Sequence, residues 1–264
     1  MSSTIDISRL FDVGGKTVLI TGGASGLGRM VAEGFVGAGA KVYITSRKAE
    51  AAETAAAEMR QCGSCIGIAA DLATPEACTV LAKTLANSES ALDVLVNNAG
   101  RTWGGPLASF PDKAWASVMA VNVQGPFTLV RDLLPLLKNA ASSRGPARVI
   151  NVGSLAGAAV EPISAFSYAA SKAAIHHLSR ALAAELAPDS ITVNTLVPGY
   201  FPTQMTSHIR AQDGALHDLL QRVPLRRLGT AEDAVGVCLM LASRAGAYIT
   251  GSEIIIDGGM LGCR

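Results

Sequence analysis

Short, continuously apolar runs recur along the chain, and the segments between them return an apolar residue every three or four positions. The runs are 16–21, 41–45, 66–69, 92–96, 148–152, 191–197 and 254–256, of which Thr17-Val18-Leu19-Ile20 is typical. Runs of this length without apolar–polar alternation read as strands buried on both faces. The helical spacing falls at 26–38, 49–61, 75–87, 112–139, 165–187 and 231–241. Thr74 predicts an N-cap with Pro75 at the first helical position, and Gly39 a helix stop. Pro135 predicts a kink near the end of the longest helix. Residues 1–15 form a lead-in pinned by Leu10 and Phe11, and 199–229 is irregular and amphipathic. Alternating strands and helices predict one α/β domain over 1–264, a doubly wound parallel sheet of about seven strands with helices on both faces.

Ligands of such sheets sit beyond the carboxyl ends of the strands. The first strand there runs into Thr21-Gly22-Gly23-Ala24-Ser25-Gly26-Leu27-Gly28 and then a helix. Backbone N–H groups at a helix start, together with its dipole, suit an anion such as a pyrophosphate. Glycines let the chain take positive φ and let a phosphate approach closely, which makes the sheet Rossmann-type. A second group of residues carries chemistry. Tyr168 and Lys172 are four apart on one helix face, and an ammonium near a phenol lowers its pKa. The strand before them ends at Ser154, whose hydroxyl could donate to a carbonyl oxygen.

Composition narrows the class. The chain has 264 residues, 49% hydrophobic and 16% charged, with a net charge of +1. Near-neutral charge points away from nucleic acid and anionic membrane surfaces. No apolar run has the length of a membrane span, and no basic stretch followed by an apolar core opens the sequence, so a cytoplasmic protein is expected. The five cysteines are scattered. Cys62-Gly63-Ser64-Cys65 has the CxxC spacing of a redox pair or half a zinc site. No second CxxC or CxxH accompanies it, so it reads as two ordinary thiols, and no metal is expected.

The motifs taken together resemble the short-chain dehydrogenase/reductase family. They are Thr21–Gly28, Asp71, Asn97-Asn98-Ala99-Gly100, Asn122, Ser154, Tyr168-Ala169-Ala170-Ser171-Lys172, and Pro198-Gly199 with Thr203, over about residues 10–260. The resemblance implies a nicotinamide cofactor and assigns roles. Tyr168 would be the general acid/base, Lys172 would tune it and bind the nicotinamide ribose, and Ser154 would hold the carbonyl. Asn122 would bend the long helix and hold a relay water. The cofactor would lie along Gly22, Ala24, Ser25, Gly26, Leu27 and Gly28, then Asp71, Leu72, Asn98, Ala99 and Gly100. Tyr168, Lys172, Pro198, Gly199, Phe201 and Thr203 would meet its nicotinamide end. The segment 199–229 would be a substrate lid. NAD binders carry an acid at the end of strand two, about 20 residues past the glycine turn; this chain has Ser46-Arg47-Lys48 there, which favours the 2′-phosphate of NADP(H).

Trp103, Ser154, Phe201 and Met205 are the candidate substrate contacts, with Leu155, Val160 and Phe166 nearby. Within the family the chain is most similar to 3-oxoacyl reductases of rhamnolipid biosynthesis, through Trp103-Gly104, Ser46-Arg47-Lys48-Ala49-Glu50 and Ala247-Tyr248-Ile249-Thr250-Gly251. That implies reduction of a 3-oxoacyl thioester carried on CoA or acyl carrier protein, with Arg101, Arg131 and Arg210 available to a carrier. A dehydrogenase of a polyol, sugar, cyclic or steroid alcohol, and a non-catalytic NADP(H) sensor, are the other readings. The resemblance also implies a homotetramer. The tyrosine's helix, bearing His176 and His177, would pair with 112–139 at one interface, and the last strand with 257–262 would form another.

Overall fold

A computed structural model describes residues 6–207 and 214–263, without the side chains of Ser8 and Met205. After a short helix α1 (Ile7–Leu10), the chain alternates β1 (Thr17–Ile20), α2 (Gly26–Gly37), β2 (Lys41–Ser46), α3 (Ala49–Met59), β3 (Ser64–Ala69) and α4 (Pro75–Ala86). Then come β4 (Val94–Asn97), α5 (Lys113–Met119), α6 (Gly125–Ala140), β5 (Ala147–Val152), α7 (Phe166–Leu186) and β6 (Ile191–Pro198). The described chain ends with α8 (Ala215–Arg222), α9 (Ala231–Ala242) and β7 (Glu253–Ile256). All seven strands are parallel, in the order β3-β2-β1-β4-β5-β6-β7. The order reverses direction between β1 and β4, which opens a crevice at their carboxyl ends.

Alternate residues of each strand feed two cores, because strand side chains alternate faces. Val18 and Ile20 pack with Val31, Phe35, Ala56, Cys238 and Leu241 on the α2–α3–α9 side. Leu19 packs with Leu81, Leu85, Leu129, Leu133 and Leu186 on the α4–α6–α7 side. Thr74 caps α4, its hydroxyl accepting from the Ala77 amide at 3.2 Å. Gly39, at φ +82°, follows the end of α2.

The long helix is interrupted by a π-turn, Ala120–Gln124, around Asn122, where the resemblance implies a bend, and α6 continues through Pro135 to Ala140. A π-turn inserts a residue into the ladder and breaks the helix where tertiary contacts, here those of Asn122, require it. The lead-in is not pinned by Phe11, which is 50% exposed; Val13, at 1%, enters the core instead.

Arg148 in β5 is buried, and its guanidinium donates to the carbonyls of Pro146, Leu241 and Ser243. It ties the end of α9 to the sheet and sits at the negative pole of that helix. Burial pushes its pKa down to about 10. Arg148→Met should leave these carbonyls unpaired and cost about 2 kcal/mol, at roughly 1 kcal/mol per lost bond after relief of charge burial. A thermal-unfolding scan should therefore fall by about 4–8 °C.

Candidate active site

The turn between β1 and α2 is built for an anion. Gly22 and Gly26 take φ of +65° and +57°, which glycine adopts without strain. The Asn98 carboxamide donates to Thr21 O at 2.9 Å and Gly22 O at 3.3 Å. In return the Thr21 hydroxyl accepts from the amides of Asn98 and Ala99, both at 3.0 Å. Thr45 of β2 accepts from the Gly22 amide at 3.1 Å. Ser25, at the N-cap of α2, makes no bond to the first-turn amides, so the positive helix end faces outward unneutralised.

This turn forms one wall of a 610 Å³ cleft along the strand ends. Gly22, Ala24, Ser25, Gly26 and Leu27 line it, with Ser46, Arg47, Asp71 and Leu72 at one end. Asn98, Ala99 and Gly100 lie midway; Ser154, Tyr168, Lys172, Pro198, Gly199, Phe201 and Thr203 line the other end. A bare glycine cradle at a helix start, a cation at the end of β2 and a phenol–ammonium pair opposite fit an extended dinucleotide.

At the chemical end, Lys172 donates its Nζ to Val152 O at 2.7 Å and lies 5.6 Å from the centre of the Tyr168 ring. Burial pushes its pKa down to about 8. The sequence reading has Lys172 lowering the Tyr168 phenol. Here burial holds that phenol above its ordinary range, against a smaller downward pull from its hydrogen bond with Ser154. Tyr168 is therefore protonated at neutral pH, the form that donates. Asn122 sits behind this group at 2% exposure. Its side chain accepts from Arg101 N at 2.8 Å and donates to Arg101 O and Ser171 Oγ, both at 2.9 Å. Ser171 in turn donates to Tyr168 O at 2.7 Å. The π-turn carrying Asn122 thus fixes both the Arg101 loop and the first turn of α7.

A family model described as enoyl-(acyl carrier protein) reductase matches residues 22–261. A rhamnolipids biosynthesis 3-oxoacyl-[acyl-carrier-protein] reductase of Pseudomonas aeruginosa is 44% identical over 94% of this chain and 97% of its own length. This chain belongs to the short-chain dehydrogenase/reductase family. A second relative, galactitol 2-dehydrogenase (L-tagatose-forming) of Cereibacter sphaeroides, is 36% identical over 97% of this chain and 98% of its own. Among solved structures, the Pseudomonas aeruginosa RhlG/NADP active-site complex superposes with a TM-score of 0.93 at 44% identity, covering 96% of this chain and 98% of that one.

In this short-chain dehydrogenase/reductase, several expected contacts lie off the cleft. Gly28 stands behind the turn, where a Cβ would lie 2.2 Å from Asn98 Nδ2; its bareness serves packing on Asn98. Lys48, at the N-cap of α3, is exposed and does not line the cleft. Trp103 is 40% exposed outside the wall that its neighbours Arg101 and Thr102 line. Phe201 lines the cleft but is mostly buried, its ring against the bare α-carbon of Gly229. Leu155 is buried with Val223 and Met260, and Val160 is fully solvent-facing. The Met205 side chain and Arg210 lie outside the described residues. Arg131 pairs with Asp132 at 2.7 Å.

Sequence reasoning named Thr21 only as the first residue of the glycine motif and missed Thr45; both are hydroxyls at strand ends that hold the turn. It also placed His176 at a subunit interface, whereas the ring is buried within the chain beneath Ser154. Cys62 and Cys65 are free thiols, and no metal-binding cluster occurs among the described residues. No described helix is long and apolar enough to cross a membrane.

Proposed function

We propose that this protein is an NADPH-dependent oxidoreductase that reduces a ketone to a secondary alcohol, with a 3-oxoacyl thioester as substrate and the 3-hydroxyacyl thioester as product. The observation that carries the reading is that Ser154, Tyr168 and Lys172 meet at one end of the cleft whose other end holds Arg47. The 44% identity to a 3-oxoacyl reductase supplies the substrate class.

The glycine turn and Arg47 would hold the phosphates, Asp71 and Asn98 to Gly100 the adenosine side, and Lys172 and Pro198 to Thr203 the nicotinamide end. Bound NADPH supplies the hydride that reaches the carbonyl carbon. Ser154 hydrogen-bonds the carbonyl oxygen and holds it against Tyr168. Tyr168 donates its phenolic proton to that oxygen as negative charge develops there. Lys172, one of whose protons is engaged by Val152 O, remains largely charged near neutral pH and stabilises the phenolate that results. Asn122 fixes the loop and helix start that frame the proton donor.

The segment 199–229 acts as the lid. In support, Glu161 from the loop after β5 accepts from Tyr200 at 3.1 Å and from Arg222 of α8 at 2.9 Å, which ties the lid helix to the catalytic loop. The enzyme works as a cytoplasmic homotetramer. The solvent-facing Trp115 on α5, Phe127 on α6 and Tyr248 before β7 are large apolar side chains on the elements that such interfaces would cover.

Following NADPH and NADH oxidation at 340 nm with a short 3-oxoacyl thioester tests the reading. Turnover of the thioester with NADPH is the expected result. Turnover confined to a cyclic ketone or a sugar-acid ketone would keep the chemistry and reject the acyl assignment. Tight NADPH binding without any carbonyl turnover would make the protein a sensor.

A further inference from the structure

One helical turn past Lys172, His176 is only 3% exposed and has no part in the chemistry above. Its Nε2 accepts the backbone N–H of Ser154 at 3.2 Å. Its Nδ1 faces Glu253 Oε2, at the start of β7, at 3.3 Å. The other Glu253 oxygen is held by Arg180, one turn further along α7. The imidazole reaches the strand end because Gly153 has no side chain: a Cβ there would lie 2.2 Å from Nε2. Lys172 meanwhile holds Val152 O at 2.7 Å. Two side chains one turn apart on α7 therefore grip the backbone on either side of Gly153.

We infer that His176 is a positioning residue for Ser154: oriented by Glu253, its unprotonated Nε2 holds the Ser154 amide and so sets the angle at which the Ser154 hydroxyl meets Tyr168 and the reacting carbonyl. The inference rests on the roles proposed above for Ser154 and Tyr168. An Nε2 that accepts an N–H carries no proton, so the ring proton sits on Nδ1, toward Glu253. Protonating the ring would set one N–H against another and release the Ser154 turn. The charged groups around the ring are Glu253 from β7 and Lys172 and Arg180 from its own helix; the turn after β5 contributes only Gly153 and the Ser154 amide. Burial and the two cations outweigh Glu253 and hold His176 below its ordinary value. The working form is the neutral one, retained at neutral pH and lost as pH falls through that lowered value.

The test compares His176→Leu, His176→Gln and Glu253→Gln with the wild type. His176→Leu should lower kcat by about ten- to a hundred-fold, the scale expected for a reacting group displaced by about an ångström. NADPH affinity should stay within about two-fold, because His176 does not line the cofactor wall. His176→Gln keeps an acceptor and should restore much of the rate. Glu253→Gln removes the group that favours imidazolium, so the acid limb of the kcat–pH profile should move to lower pH; in His176→Leu that limb should vanish. Wild-type kcat and pH profile in His176→Leu would overturn the inference, as would equal losses in the Leu and Gln variants that simply track lost thermal stability. A wrong substrate assignment would show instead in the wild type, and the variants are then compared on whichever ketone it reduces. Independently of turnover, 15N-histidine NMR of the full chain should give the Nδ1–H tautomer for the signal that His176→Leu deletes. An Nε2–H tautomer there would overturn the inference even without any substrate.

Discussion

Tyr168→Phe is expected to lower turnover by about a thousand-fold, within the range that a positioned general acid contributes. Phenylalanine keeps the ring beside Lys172 and loses only the phenolic hydroxyl, and with it the proton it donates. That proton is the one held ready at neutral pH, because burial outweighs the hydrogen bond from Ser154 and keeps the group above its ordinary range. A thousand-fold loss is about 4 kcal/mol of transition-state stabilisation, far more than a lost packing contact would produce in an isosteric exchange. NADPH binding, followed by its fluorescence, should be nearly unchanged, since the glycine turn and Arg47 are elsewhere on the cleft. Retained turnover would remove Tyr168 as the proton donor and direct attention to Lys172 or to a water relay beside Asn122.

Arg47→Asp should reverse the choice of cofactor. Arg47 follows β2 and lines the cleft where an NAD binder places its acid. A guanidinium there forms charge-assisted, two-pronged bonds with a 2′-phosphate. Such bonds to a charged group are worth about 1.5–3 kcal/mol, or roughly ten- to a hundred-fold in affinity. The substituted carboxylate adds repulsion of the phosphate and an acceptor for a free ribose hydroxyl. The ratio of kcat/KM for NADPH over NADH should fall by about a hundred-fold or more, with kcat for the better cofactor preserved. The charge contrast should also weaken with added salt, since Arg47 is exposed. An unchanged ratio would place the 2′-phosphate elsewhere, with Ser25 on the facing wall the next residue to substitute. Lys48, which is exposed and does not line the cleft, serves as the control.

Much of this was legible along the chain. Val18 to Ile20 and Val94 to Val96 are apolar without alternation because both faces of their sheet are covered, and local pattern records that directly. Thr74 and Pro75 announce a helix start by chemistry confined to a few residues. Tyr168 and Lys172 share a face by helix geometry alone. Strand ends were less legible: β3 begins at Ser64, two residues before its apolar run, because pairing with β2 sets its length. Trp103, placed after Gly100 by the chain, is 40% exposed and does not line the cleft, which depends on the conformation of its loop.

What the sequence by itself determined is therefore the alternation of elements, the family, and the types and spacing of the residues that do chemistry. These follow from nearest-neighbour geometry: a period of two or of 3.6, a cap, a glycine turn. Only the tertiary structure decided which of those residues share a cavity and what fields they feel. It set Asn98, just past β4, and Thr45 of β2 against the glycine turn that follows β1. It tied Asn122 to the Arg101 loop and to Ser171, and it buried His176 beneath Ser154 against a glutamate from the far end of the chain. Those contacts join residues distant in sequence, and the direction of each pKa shift depends on how much water the whole fold excludes, which no local pattern of residues records.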